Sequence, residues 1–313
     1  MATILITHGI PTEGLARLKG HEIIIPAPLA AYSMDELMHL IPRADAVIAG
    51  GKLPGDVIRA GKKLRIIANY GAGYDGVDTA AAAQCGIPVT NIPNTVTDAT
   101  AELAIGLMLA VSRRIGEMNL RLRRENPATL FGMGRHMGAT LRGRTLGIIG
   151  CGRIGSRTAK MARALGMRVI AYSRHGVPSD VAESMPLAEL LANADVVSLH
   201  CPLTDETRGM IGAETFAAMK PGAILINTAR GAIVDHAALT DALRSGHLFG
   251  AGLDVFPEEP QIPAELLTMD NVVCTPHIGT NTAETRAQMA DACAQQILDA
   301  LAGQRPEHIV NGI

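Results

Sequence analysis

A glycine-rich segment in the middle of the chain constrains its fold more than any other feature. Gly150-Cys151-Gly152-Arg153-Ile154-Gly155 follows the apolar segment 145–149 and precedes the helix-compatible stretch 156–165. In such a unit one glycine permits the tight turn, the next lets backbone N–H groups approach phosphates, and the third lets helix and strand pack closely. A second apolar segment, 168–172, completes the strand–turn–helix–strand pattern. This context favours a dinucleotide-binding turn over an ordinary glycine-rich loop.

The end of the second strand indicates which dinucleotide would bind. An NAD site of this kind usually places Asp or Glu about 20 residues after the glycines, where it binds the adenosine ribose. Here the chain reads Ser173-Arg174-His175, without a carboxylate. Arg174 could pair with a 2′-phosphate and Ser173 could add a hydrogen bond. The alternatives for Arg174 are a solvated charge or stacking on the adenine of NAD. We predict NADPH as the preferred cofactor, with NAD as the alternative.

Composition excludes several other classes of protein. The 313 residues exceed what one core usually supports, so we expect two domains. A net charge of −2 gives no electrostatic reason to expect nucleic acid or a membrane surface as partner. The five scattered cysteines have no metal-ligand spacing, so we expect no metal. The cysteine pattern, and the lack of a signal peptide or a membrane-spanning run, predict a cytoplasmic protein.

Apolar segments alternate with helix-compatible segments along the chain, which is typical of parallel sheets covered on both faces. In the first part we predict strands at 4–7, 22–25, 46–49, 65–68 and 88–91 and helices at 12–19, 34–41 and 78–85. A long helix over 98–124, capped by Thr97 or Asp98, and an irregular connector over 125–143 follow. The second part holds strands at 146–149, 168–172, 195–200, 223–227, 250–255 and 272–275 and a final helix over 282–302.

We therefore predict an α/β protein with two doubly wound parallel-sheet domains. Six strands are the number expected of a Rossmann dinucleotide-binding sheet, and the final helix should return to the first domain. The cofactor domain, 98–286, is then inserted into a discontinuous, flavodoxin-like substrate domain made of 1–97 and 287–313.

Three polar side chains directly follow strands of the second part, where open α/β sheets place their ligands. Arg230 could bind a carboxylate, although a structural salt bridge is the alternative. Glu259 lies in a proline-bounded loop, where Glu258 is an equal candidate on the residues alone. His277, in a Pro-His-Ile-Gly turn, carries an imidazole that exchanges protons near neutral pH. A cation, a proton donor and a carboxylate to hold that donor are what a nicotinamide enzyme for small acids requires.

Four motifs together resemble the D-2-hydroxyacid dehydrogenase family. They are Gly-x-Gly-Arg-Ile-Gly at 150–155, Asn-x-x-Arg-Gly at 227–231, Gly-x-Asp-Val-Phe at 252–256 with Glu-Pro at 259–260, and Pro-His-Ile-Gly at 276–279. Segments 71–75, 97–102 and 200–204 match as well, so the resemblance covers essentially the whole chain. The lack of an acidic residue at Ser173-Arg174 resembles the NADPH-preferring glyoxylate and hydroxypyruvate reductase branch.

The resemblance implies roles for individual residues. Arg230 would bind the substrate carboxylate and polarise the keto group, with His277 as the acid/base and Glu259 as its partner. The backbone of Ala72 and Gly73 would also meet the carboxylate. A homodimer formed through the cofactor domains is implied as well.

The same resemblance implies a set of cofactor contacts, in which Asp254 meets the nicotinamide amide. The residues expected to bind the cofactor are Thr97, Gly150, Gly152, Arg153, Ile154, Gly155, Ser173, Arg174, His200, Cys201, Pro202, Thr207, Thr228, Ala229, Arg230, Asp254, His277 and Gly279.

The loop 49–54 is expected to reach the substrate, with Leu53 against its side group. Gly50 and Gly51 leave room, while Lys52 either binds hydroxyls or is solvated. We predict reduction of a small polar 2-keto acid, of the glyoxylate, hydroxypyruvate or 2-ketogluconate type, to the D-2-hydroxy acid. The alternatives are an NAD-dependent lactate- or phosphoglycerate-type dehydrogenase and a nucleotide-sensing, corepressor-like binding module.

Overall fold

The chain folds into two α/β units, which a computed structural model describes over residues 1–313. One unit combines Met1–Val96 with Thr280–Ile313, and the other is Thr97–Gly279. The chain re-enters the first unit at Thr280, before the predicted boundary at 287.

The elements alternate along the chain. The strands are β1 (Thr3–Ile6), β2 (Glu22–Ile24), β3 (Ala46–Ala49), β4 (Ile66–Asn69), β5 (Val89–Thr90), β6 (Thr145–Ile149), β7 (Arg168–Tyr172), β8 (Glu183–Ser184), β9 (Val196–Leu199), β10 (Ala223–Asn227), β11 (Leu248–Leu253) and β12 (Val272–Cys274). The α-helices are α1 (Met34–Leu40), α2 (Gly55–Ala60), α3 (Thr79–Gln84), α4 (Thr97–Ser112), α5 (Ile115–Arg124), α6 (Arg153–Ala164), α7 (Leu187–Asn193), α8 (Ala213–Ala218), α9 (His236–Arg244), α10 (Ala264–Leu267) and α11 (Ala283–Leu301).

The first unit is built on five parallel strands in the order β2-β1-β3-β4-β5. This is the flavodoxin-like order, and it confirms the predicted sheet. Strands β3 and β4 are buried along their whole length, as expected of a parallel sheet that helices cover on both faces. The helix predicted at 12–19 is instead a 3-10 helix, Glu13–Leu18, packed against α11.

The second unit is built on seven parallel strands in the order β12-β11-β10-β9-β6-β7-β8. Counted from β6, the first six follow the Rossmann order 3-2-1-4-5-6, which confirms the predicted class. The predicted count of six strands was wrong by one, because the edge strand β8 consists of two exposed polar residues and carries no apolar signal.

The single helix predicted over 98–124 is two helices, α4 and α5. The backbone of Arg114 between them is left-handed, with φ of 55°. Helix α4 begins at Thr97, with Asp98 in its first turn, where a negative charge suits the positive helix end. None of the helices combines the length and apolar character needed to cross a bilayer.

Candidate active site

The glycine turn between β6 and α6 has the geometry that a phosphate-binding turn requires. Gly150 has a φ of 95°, and a Cβ there would lie 2.4 Å from the backbone nitrogen of Cys201. A Cβ on Gly155 would lie 2.2 Å from the carbonyl oxygen of Gly150. Around Gly152, the N-cap of α6, nothing lies within 4 Å of a Cβ. Two glycines are therefore needed for packing, and the third leaves space in front of a helix N-terminus, where an anion is stabilised.

A cavity of about 490 Å³ lies over this turn. It is lined by Gly150, Cys151, Gly152, Ser173, His175, Gly176, Val177, Pro178, His200, Cys201 and Pro202. Six of these are expected cofactor residues, and Arg153 and Ile154 open α6 directly beside them. Segment 175–178 was not predicted to line a site, although it directly follows the strand end at Ser173-Arg174.

Arg174 lies outside this lining, and its side chain is 46% exposed. Its Nη1 is 3.5 Å from Oε2 of Glu206, whose carboxylate also accepts a 2.6 Å hydrogen bond from the hydroxyl of Thr204. The hydroxyl of Thr204, the backbone of Glu206 and the Arg174 charge together hold the pKa of Glu206 below its ordinary value. Arg174 is thus a solvent-accessible cation at the end of β7, held by one long ion pair.

His200, Cys201 and Thr207 shape the loop after β9. Burial lowers the pKa of His200 to about 4, so its imidazole is neutral, and Nε2 lies 2.9 Å from the hydroxyl of Ser198. Burial raises the pKa of Cys201 to about 11, so its thiol stays protonated. The Thr207 hydroxyl accepts from the backbone N–H of Thr204 and donates to the carbonyl of Pro202, both at 2.8 Å. Three expected cofactor residues therefore support the cavity wall.

The turn after β10 carries Thr228, Ala229 and Arg230. The Asn227 side chain holds this turn, because its Oδ1 accepts from the N–H of Ala229 and its Nδ2 donates to the carbonyl of Arg230. Thr228 is buried, and its Oγ1 has no hydrogen-bond partner in the protein. Buried hydroxyls are rarely left unpaired, so this atom fits a bound group that supplies its partner.

His277 and Glu259 are hydrogen-bonded to each other in the loops after β12 and β11. Nδ1 of His277 lies 2.7 Å from Oε2 of Glu259, and Oε1 accepts a 3.0 Å hydrogen bond from the N–H of Phe256. Burial by itself raises the pKa of Glu259, but these hydrogen bonds and the Arg230 charge hold it below its ordinary value. Glu259 is therefore an ionised acceptor that fixes the ring through Nδ1. The structure thereby distinguishes Glu259 from its neighbour Glu258.

Asp254 holds the backbone turn that carries His277. Its Oδ1 accepts from the Thr275 hydroxyl and the N–H of Ile278, and its Oδ2 accepts from the N–H of Gly279, at 2.6–2.8 Å. His277 has a φ of 52°, uncommon outside glycine. The Asp254 side chain is almost fully buried. Asp254, expected to contact the nicotinamide amide, and Gly279, expected to contact the cofactor, hydrogen-bond each other within this turn.

In the first unit, Ala72 and Gly73 lie in the loop after β4. Their carbonyls and that of Gly71 accept from the side-chain amides of Asn69 and Asn91 at 2.7–3.0 Å. The N–H groups of Ala72 and Gly73 have no acceptor in the protein. Adjacent free N–H groups of this kind suit a carboxylate.

The expectation that Leu53 contacts the substrate was wrong. Its side chain has no exposed surface and packs in the apolar core of the first unit. Its backbone is fixed by a 2.8 Å hydrogen bond to the carbonyl of Gly76, which directs the side chain inwards. The sequence pattern predicted where the loop 49–54 lies, but it could not predict the direction of each side chain in that loop.

Comparison with known proteins identifies relatives whose names agree with one another. Residues 105–279 match the profile of the D-isomer specific 2-hydroxyacid dehydrogenase, NAD binding domain. A glyoxylate reductase from Thermococcus litoralis is 42% identical, over 98% of this chain and 96% of that protein. A hydroxypyruvate reductase from Thermotoga maritima is 42% identical, over 85% of this chain and 88% of that protein.

A solved structure agrees with these relatives. The NADPH-dependent glyoxylate/hydroxypyruvate reductase from Sinorhizobium meliloti, in complex with NADP and malonate, superposes with a TM-score of 0.88 at 32% identity, covering 99% of this chain and 96% of that one. The profile spans more than half of the chain, and the relatives cover most of it. The chain belongs to the D-isomer specific 2-hydroxyacid dehydrogenase family of NAD(P)-dependent oxidoreductases.

Proposed function

We propose that the protein reduces a small polar 2-keto acid, of the glyoxylate, hydroxypyruvate or 2-ketogluconate type, to the D-2-hydroxy acid, with NADPH as the reductant. The observation that carries the proposal is the His277–Glu259 pair with Arg230 at the ends of three neighbouring strands, in the unit that holds the glycine turn. The names of the relatives from Thermococcus litoralis and Thermotoga maritima support this substrate class.

We propose the following roles, which the His277–Glu259 geometry and the family resemblance support. Because Glu259 occupies Nδ1 of His277, Nε2 is the atom left to donate a proton to the carbonyl oxygen of the substrate. Arg230 binds the carboxylate and stabilises the charge that develops on that oxygen. In the first unit, we propose that the N–H groups of Ala72 and Gly73 bind a carboxylate. The chemistry that a bound nicotinamide supplies is hydride transfer to the carbonyl carbon.

The NADPH preference rests on the loop after β7. Ser173 lines the cavity, Arg174 beside it is an accessible cation, and neither position carries a carboxylate that would repel a 2′-phosphate. The Sinorhizobium meliloti relative is named as NADPH-dependent, which supports the preference.

We also propose that the protein is a cytoplasmic homodimer. All five cysteines are free, as expected in a reducing compartment. The dimer would form through the second unit, on which α5 and the following connector expose six large apolar side chains. They are Ile115, Leu120, Leu122, Phe131, Met133 and Met137, between 47% and 105% exposed. Apolar residues at this density are typical of a surface covered by a partner.

A panel of 2-keto acids assayed with NADPH and with NADH tests the proposed function. We expect the highest kcat/KM for glyoxylate or hydroxypyruvate with NADPH. A higher kcat/KM with NADH, or with bulky apolar keto acids, would contradict the cofactor or substrate assignment. Negligible turnover across the panel together with tight dinucleotide binding would instead indicate a nucleotide-sensing module.

A further inference from the structure

Three loops of the first unit lie together at the carboxyl edge of its sheet. His8 follows β1, Gly50 and Gly51 follow β3, and Ala72 and Gly73 follow β4. In a sheet of order 2-1-3-4-5 the strand order reverses between β1 and β3, and ligands bind at that reversal, outside the carboxyl ends of the strands. His8 and the glycine pair lie at this point, although only the glycines stood out in the sequence.

The imidazole of His8 lies along the backbone of the glycine pair. A Cβ on Gly50 would lie 3.2 Å from Nδ1 of His8, and a Cβ on Gly51 would lie 3.2 Å from Nε2. Gly51 also has a φ of 75°, which favours glycine. On its other side this loop is packed against the β4 loop, because a Cβ on Gly76 would lie 2.5 Å from the carbonyl oxygen of Gly51. The two glycines therefore make room for the His8 ring, and their loop contacts both the ring and the β4 loop.

Thr7 fixes the orientation of the ring. Its Oγ1 lies 2.9 Å from Nδ1 of His8, accepts from the N–H of Gly50 at 2.9 Å and lies 3.1 Å from the carbonyl oxygen of Gly50. Nδ1 is thus occupied, whereas Nε2 has no partner in the protein. The Thr7 hydroxyl has one proton to donate. If it goes to the Gly50 carbonyl, Nδ1 of His8 carries the ring proton and Nε2 is an acceptor. If it goes to Nδ1, Nε2 carries the ring proton and is a donor. A hydroxyl group, which both donates and accepts, pairs with Nε2 in either case.

Burial lowers the pKa of His8, so the imidazole is neutral at physiological pH. A neutral ring offers a hydrogen bond but no charge, which suits a hydroxyl better than a phosphate or a second carboxylate.

We propose that His8 is a specificity-determining residue, whose Nε2 hydrogen-bonds the C3 hydroxyl of a 3-hydroxy-2-keto acid while the N–H groups of Ala72 and Gly73 bind its carboxylate. The proposal rests on the proposed function and narrows it to 3-hydroxylated substrates, of which hydroxypyruvate is the smallest. Glyoxylate, which has no third carbon, would be reduced without this contact.

The test compares hydroxypyruvate with pyruvate, which differs from it only in lacking the C3 hydroxyl. The wild-type enzyme should favour hydroxypyruvate in kcat/KM. The variant His8→Asn keeps an amide at the position of Nδ1 and loses Nε2, whereas His8→Gln places an amide at the position of Nε2. We expect the hydroxypyruvate-to-pyruvate ratio to fall by about 3- to 10-fold in His8→Asn, the range for one lost hydrogen bond, and to fall less in His8→Gln.

Two controls separate the outcomes. His39→Asn changes an exposed histidine on α1 of the same unit and should leave the ratio unchanged. Reduction of glyoxylate by each His8 variant reports that the enzyme is folded and active. An unchanged ratio in a His8→Asn enzyme that still reduces glyoxylate would overturn the role of His8 and leave the proposed function intact. A wild-type enzyme that reduces none of the three keto acids would overturn the proposed function itself.

Discussion

At the scale of single residues, two carboxylates hold His277 and have different tasks. Asp254 fixes the backbone of the turn, and Glu259 fixes the ring through Nδ1. With the ring held in this way, His277→Ala should lower kcat by about 10²–10⁴-fold, the usual contribution of a general acid. The dissociation constant of NADPH, measured by fluorescence titration, should stay near the wild-type value.

A backbone control belongs with this variant, because alanine tolerates the φ of 52° at position 277 poorly. Asparagine adopts that conformation more readily but is not a general acid. His277→Asn should therefore show the same loss of kcat with a melting temperature close to that of the wild type. Turnover near the wild-type level in either variant would remove His277 from the role of proton donor.

The charge of Arg174 should determine cofactor preference. In Arg174→Asp a carboxylate replaces the cation, repels a 2′-phosphate and can accept hydrogen bonds from ribose hydroxyls instead. The ratio of kcat/KM with NADPH to that with NADH should fall by at least about tenfold, since one charge-assisted hydrogen bond is lost and a repulsion is gained. Arg142→Asp, an exposed arginine shortly before the amino end of β6, is the matched control and should not change the ratio. If the NADPH-to-NADH ratio were equal in Arg174→Asp and Arg142→Asp, Arg174 would be a solvated charge with no contact to the 2′-phosphate.

Residue positions after buried strands could be predicted from the sequence, but side-chain directions could not. Arg230, Glu259 and His277 each follow an apolar run, so topology alone brings them to one edge. Leu53 was misassigned because a hydrogen bond from its own N–H turns it into the core. The role of His8 could not be predicted from the sequence. It depends on two glycines some 40 residues away in the chain, and only the folded sheet brings them beneath the ring.

At the scale of elements, the three glycines of the turn before α6 should respond differently to alanine. Gly152→Ala has open space and an ordinary φ of −80°, so its melting temperature should match the wild type. The added methyl group would occupy the space for phosphate, and the dissociation constant of NADPH should rise by about tenfold or more. In Gly155→Ala the methyl group collides with the Gly150 carbonyl, and the melting temperature itself should fall. Tight binding by a stable Gly152→Ala protein would show that the phosphate lies elsewhere.

Element type and order were predictable wherever apolar periodicity was strong. Both sheets were predicted with their parallel topology, because runs such as 46–49 in β3 and 223–226 in β10 are apolar throughout. The break between α4 and α5 was not predicted, since the glycine nearest to it, Gly116, lies inside α5. It depends on the left-handed backbone of Arg114, whose side chain binds Glu117 at 2.6 and 2.8 Å. A contact across one turn thus ends a helix that local propensity would continue.

At the scale of the whole molecule, the exposed apolar surface on α5 and the connector should determine the oligomeric state. Phe131 and Met133 are 76% and 105% exposed, which costs free energy in water unless a second copy covers them. We expect the wild-type protein to sediment as a dimer and Phe131→Glu/Met133→Glu to sediment as a monomer, because buried unpaired carboxylates oppose association. Met34→Glu/Met38→Glu changes two exposed methionines on α1 of the other unit and should remain dimeric. A wild-type monomer, or an unchanged dimer in the Phe131→Glu/Met133→Glu protein, would show that this surface is not the interface.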